Sequence, residues 1–265
     1  MSANTILVTE AVRDASRRRI VAVIVAMSVI SLFFVDGCVS CSSVNVSIEG
    51  EARSIPDVAG AAGAALISLL GLWGILLAGI LSADHLQQTI DDGSANLTLT
   101  RPVSRNQFAG ARLAGALVVS LAAAFVLLGI AAFWLYQRNG LPLEPALVSM
   151  AGCLVGAVTT GALGMLASLW FPRMATTLVV VAGVAIMTVA NSVALLRDAP
   201  AQDALAWIDR LGPPLASSLW LPLGAWVPQV SMQADPLEIG LRAIVWAALS
   251  VAALLFAFRR TELGR

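Results

Sequence analysis

The chain has no lysine: all sixteen basic residues among its 265 are arginine, balanced by sixteen acidic ones. The phosphate-cradling motif G-x-x-x-x-G-K-[ST] needs a lysine to reach the nucleotide, so ATP hydrolysis by that route is excluded. Charge of either sign is scarce, 12% of residues against the ~25% usual in soluble domains. There is a single histidine, His85, at the end of an apolar run, with no Ser, Cys or His partner at motif spacing. It reads as an interfacial anchor rather than a base or ligand. What fills the chain instead is hydrophobic: 58% of residues, with a mean hydropathy of +0.86. The composition is that of an integral membrane protein, and with a net charge of zero the informative quantity is where the charges lie.

The apolar runs predict an all-α membrane fold of six spans in a single domain, 1–265, at 20–35, 58–83, 113–136, 146–171, 174–196 and 239–258. Residues 1–19 alternate Ile6, Leu7, Val8, Ala11, Val12 and Ala15 with Glu10, Arg13, Asp14 and Arg17. This is the pattern of a helix lying in the membrane interface. The first span has only 16 residues, short of the ~20 a perpendicular helix needs, so the preceding arginines are expected to complete it by snorkelling. Val35-Asp36-Gly37-Cys38 superficially resembles a lipoprotein cleavage site, but the long leading segment and Asp36 favour an uncleaved span. Phe171-Pro172-Arg173 is a tight turn. The segment 197–238 holds an apolar piece too short to cross, broken by Pro222, Gly224 and Pro228, which reads as a re-entrant or interfacial hairpin with Trp207, Trp220 and Trp226 at headgroup depth. Within the fifth span Asn191 is the most polar side chain.

Orientation follows from arginine. With both termini inside, eleven arginines (13, 17, 18, 19, 101, 105, 112, 173, 259, 260, 265) are cytoplasmic and five (53, 138, 197, 210, 242) are outside, as the positive-inside rule favours. Cys38 and Cys41 then fall outside the cytoplasm. A C-x-x-C pair there is open to three readings, a redox centre, a soft-metal site or a disulfide. A membrane thiol oxidoreductase needs a second thiol pair or a quinone site, and the only other cysteine, Cys153, sits mid-helix, so a local disulfide or unpaired thiols is the preferred reading. In the fourth span Gly152, Gly156, Thr160, Gly164 and Ser168 recur every fourth residue. Such a small-residue face admits a close helix neighbour, within the chain or in a second subunit. No metal site or bound cofactor is expected, and no nucleic-acid partner.

The polar segment 91–112, DDGSANLTLTRPVSRNQFAGAR, separates two of the longest apolar runs. Pro102 biases Arg101 away from α geometry and Gly93 punctuates the stretch, so a short helix, a turn and a second helix start are expected within the cytoplasmic segment 84–112. The acidic pair before Gly93, the small hydroxyl residue, the alternating leucines and then Pro-Val-Ser-Arg resemble the cytoplasmic loop of permease subunits of type-2 ATP-binding-cassette transporters. Here Ser94 and Ala95 follow the glycine, Thr98 interrupts the leucines, and Ala111-Arg112 stands where that family has Gly-Lys, changes that keep size or charge.

The resemblance implies that Asp91, Asp92, Gly93, Leu97, Leu99, Arg101, Pro102, Val103, Ser104 and Arg105 form a coupling loop seated in a cleft of a separate ATPase subunit. ATP and Mg would be bound by that partner, this chain being no enzyme. It further implies two permease subunits, expected as a homodimer, with two ATPases in a bacterial inner membrane. The spans carry no deep charge of the kind found in ion pathways, which favours export of an amphipathic or hydrophobic substrate. An ATP-driven mechanotransmitter acting on a periplasmic or envelope partner has the same sequence signature, and a thiol oxidoreductase using Cys38 and Cys41 is the remaining alternative.

Overall fold

The computed structural model describes residues 3–16, 22, 26, 29, 30, 33, 47–48, 51–52, 55–91, 104–196, 204–227 and 234–260. They are helical apart from connections and a two-residue antiparallel ladder pairing β1 (Ser47–Ile48) with β2 (Glu51–Ala52). The helices are α1 (Ala3–Ser16), α2 (Ile55–Asp91), α3 (Arg105–Asn139), α4 (Leu143–Ala167), α5 (Arg173–Leu196), α6 (Ala204–Leu211), α7 (Leu215–Leu223) and α8 (Pro236–Arg260). A 3-10 turn, Gly224–Trp226, follows α7.

Five of these helices, α2, α3, α4, α5 and α8, are long and apolar enough to cross a membrane, and the chain is on that ground a multi-pass membrane protein. The sixth expected span, 20–35, lies largely outside the described residues. Within it Ala22, Ala26, Val29, Ile30 and Phe33 are helical and exposed.

Two helices overrun their apolar runs. α2 has 37 residues and α3 has 35, so at 1.5 Å per residue each is more than ~50 Å long against a hydrocarbon core of ~30 Å. Residues 84–91 and 105–112, expected within a cytoplasmic loop, are therefore helix, leaving 92–103 outside the described residues. The α3 start is specified locally. Ser104 is its N-cap: the Gln107 N–H donates to Ser104 Oγ at 3.2 Å, and the Ser104 N–H donates to Gln107 Oε1 at 3.0 Å, a capping box. At the other end Gly140 takes φ 66° and donates its N–H to the Tyr136 carbonyl, the left-handed stop that glycine makes without strain. Pro142 and Pro172 precede α4 and α5, where a missing N–H costs nothing.

Successive spans run antiparallel, and their contacts define two ends. At the distal end Gly60 of α2 lies against Trp226, Gly63 against Leu135 and Leu141, and Gly152 of α4 against Ser218 of α7. At the basal end Gly164 of α4 meets Gly79 of α2, Arg173 of α5 pairs with Asp84, and Phe258 of α8 stacks on Phe108 of α3 with centroids 6.2 Å apart. α2 and α4 form the centre. Of the apolar window of α2, 67% is buried, against 22% for α8, so α8 turns most of its surface outward.

The small-residue stripe on α4 is what lets the centre close. A Cβ at Gly152 would stand 2.4 Å from the Ser218 carbonyl oxygen, one at Gly156 2.7 Å from Ile75 Cδ1, and one at Gly164 2.6 Å from the Gly79 carbonyl oxygen. Thr160 abuts Gly79, and Ser168 is buried with its hydroxyl donating to the Met165 carbonyl. The chain's own α2 and α7 thus occupy this face. The turn expected at Phe171-Pro172-Arg173 is present between α4 and α5, after hydrogen-bonded turns over Ser168, Leu169 and Trp170.

Candidate functional site: the basal junction and the distal hairpin

The basal end gathers the segment singled out in the sequence. Asp91 is the last residue of α2, while Ser104 and Arg105 open α3. Asp92, Gly93, Leu97, Leu99, Arg101, Pro102 and Val103 lie outside the described residues, as do Cys38, Cys41 and the side chain of His85. The geometry around the α3 start is specific. Arg105 Nη1 donates to the Arg259 carbonyl at 3.4 Å, and Arg259 Nε donates back to Asn106 Oδ1 at 3.1 Å. The first turn of α3 is thereby tied to the last turn of α8, and Arg105 places its charge on carbonyls at a helix C-terminus, where a cation is favoured.

Two turns further on, Arg112 serves two elements. Its guanidinium lies 5.4 Å from the Phe108 ring centroid and 3.7 Å from Asp14 of α1. α1 sits directly on α3 because Gly115 offers no side chain: a Cβ there would be 2.4 Å from that of Ala11, which is fully buried. The amphipathic amino-terminal segment is thus a helix whose Ala11 face is docked on protein. Beneath the junction Leu86, Phe108, Leu113, Met165, Leu254 and Phe258 form a compact apolar cluster from α2, α3, α4 and α8. The nearly buried Asp84 pairs with Arg173 at its edge.

The distal end holds a polar network. Asn191 of α5, with 0% exposure, donates its amide to Asp209 Oδ1 of α6 at 2.5 Å and accepts the Ala216 N–H of α7 at 3.1 Å. Arg242 of α8 donates to the same carboxylate oxygen at 3.4 Å, to the Asp209 carbonyl, and to the Gly212 carbonyl at 3.4 Å. Asp209 and Arg242 read in the sequence only as charges outside the membrane. Asn191 was visible as a polar residue in a span, but its partner is 18 positions away and Arg242 lies 33 beyond that. No motif spacing signals such a triad.

The apolar hairpin is broken as expected, with Pro222 inside α7 and the 3-10 turn after it. The expected headgroup tryptophans divide, however. Trp207 is 57% exposed, whereas Trp226 is 4% exposed and donates its indole N–H to the Pro142 carbonyl at 3.1 Å. Its ring belongs to the core because α2 presents Gly60 to its backbone. Cys153 is buried at the centre with its thiol 3.5 Å from the Gly71 carbonyl.

The chain matches no protein-family profile and no curated protein sequence.

Proposed function

We propose that this chain is the membrane-spanning permease subunit of an ATP-binding-cassette complex. In this reading it converts ATP hydrolysis by a separate cytoplasmic subunit into export of an amphipathic or hydrophobic substrate. The carrying observation is the segment 91–112, whose acidic-Gly and Pro-Val-Ser-Arg pattern resembles the coupling loop of such permeases. Its setting supports that role. The segment hangs between two helices that outrun the bilayer, and its exit is bonded to the end of α8 and braced by α1. A push delivered at the start of α3 would reach the last described span and the amino-terminal helix through these contacts.

The same end carries the described arginines 13, 105, 112, 173, 259 and 260, while 138, 210 and 242 lie on the far half of the chain. The positive-inside rule therefore makes the basal end cytoplasmic, with both termini on that side of an inner membrane. Two copies meeting around a central path, with two ATPases beneath, complete the arrangement. Movement of the basal helices would be transmitted along α5 and α8 to the distal hairpin.

Co-purification with an ATP-binding-cassette ATPase subunit, which this reading expects to be encoded beside this chain's gene, tests the proposal. Arg105→Glu or Leu97→Asp should reach the membrane at near-parental abundance but lose the ATPase or uncouple its hydrolysis, since truncating a buried interface anchor costs ~2 kcal/mol or more of binding. Asp92→Ala should act more weakly in the same direction. Full retention of the partner and of coupled hydrolysis by both stronger variants would remove the loop from the interface and with it the basis of this reading.

A further inference from the structure

The distal end is closed by two short helices held in different ways. α7 is seated by burial: Leu215, Ala216, Leu219 and Leu223 are each at most 3% exposed. α6, eight residues long, buries no side chain, and its Trp207 and Leu211, one turn apart, are 57% and 68% exposed. A helix of that length does not persist on its own propensity. Its firmest attachments are polar. Arg242 reaches across from α8 to the end of α6, where it donates to the Asp209 carboxylate and to the carbonyls of Asp209 and Gly212. Those carbonyls end a helix and favour a cation. Asn191 closes the set, its amide on Asp209 and its oxygen on the first turn of α7.

We propose that α6 is a strap across the distal ends of α5 and α8, latched by Arg242, Asp209 and Asn191, and that it releases and re-closes as a unit while α7 stays seated. Local opening is favoured where few apolar contacts hold a segment. Bonds that share one carboxylate are lost together, because a half-satisfied buried network is worse than none. The side chains that would be freed are Asp209, which has solvent beside it, and Arg242, which is 23% exposed, so the released state rehydrates its charges. The strap lies across α5 and α8, the two least buried of the five described spans. This inference rests on the contacts alone and holds whether or not the chain partners an ATPase.

Amide hydrogen exchange on the purified full-length chain in lipid nanodiscs tests it. Arg242→Gln and Asp209→Asn should each accelerate exchange over 204–212 by about tenfold or more, leaving 143–167 within twofold of the parent. The double variant should exchange no faster than Arg242→Gln alone, because the two side chains act through one latch. Should Arg242→Gln fail to accumulate, Asp209→Asn, which preserves size and an acceptor for Asn191, carries the same measurement. Unchanged exchange over 204–212, acceleration spread evenly through α2 and α4, or multiplicative effects in the double variant would each overturn the strap.

Discussion

Ser104 shows how one residue can carry two readings. In the sequence it belongs to the Pro-Val-Ser-Arg stretch of a loop; in the fold it is the N-cap of α3 and, with Gln107, completes a capping box. The sequence predicts a second helix start within 84–112, and the Ser104–Gln107 capping box fixes where it falls. Replacing Ser104 with Ala should lower stability by about 1 kcal/mol, read as a reduced thermal midpoint in detergent with the spectrum of the folded state unchanged. Glycines separate in the same way. Gly164→Leu would drive a side chain into the Gly79 carbonyl, where a Cβ alone already stands at 2.6 Å. Gly183→Ala meets open space on the outer face of α5. The first should abolish accumulation of folded protein and the second should leave the midpoint unchanged or slightly raised, as membrane abundance and melting curves would report.

At the scale of elements, the apolar runs located α2, α3, α4, α5 and α8 because each carries enough continuous hydrophobic length to declare itself. Their ends were less legible. Gln87, Gln88, Asn106, Gln107 and Arg112 are polar, which reads as loop when hydropathy is the guide, yet glutamine and arginine are good helix formers and the helices simply continue through them. Trp226 was placed at headgroup depth from its type, but its burial depends on Gly60, 166 positions earlier in the chain, and no local pattern shows that. The docking of α1 is the testable case. Its amphipathic spacing predicts a helix, whereas its seat on α3 depends on Gly115. Gly115→Val should lift α1 away, and a cysteine placed at Ala11 should then react with maleimide at least several-fold faster than in the Gly115 parent. Equal protection in both backgrounds would mean that α1 is held by something other than this contact.

For the whole molecule, arginine placement and helix contacts lead to the same division into two ends, from independent observations. The contacts place the start of α3, the end of α8 and α1 together, and under the proposed function the arginine-rich end is expected to face the cytoplasm. Cysteine substitution at Glu49 and Arg101, in a background with Cys38 and Cys41 replaced by serine, checks the assignment. Labelling by an impermeant reagent in intact cells should reach position 49 and spare position 101. That serine background has its own expectation: if the two cysteines are structural, ATP-driven activity should stay within a few-fold of the parent, and complete loss at normal membrane levels would restore a redox or metal role.

The central claim, that this chain is one half of a membrane pair driven by separate ATPases, is tested most directly by the native mass of the complex. The chain would be co-expressed with the ATPase subunit that the proposal requires and extracted in mild detergent. The account predicts a particle of two copies of this chain with two of the ATPase, reduced to the pair alone when Arg105 is replaced by Glu. A single chain that never carries the ATPase, or a full complex indifferent to Arg105→Glu, would contradict it.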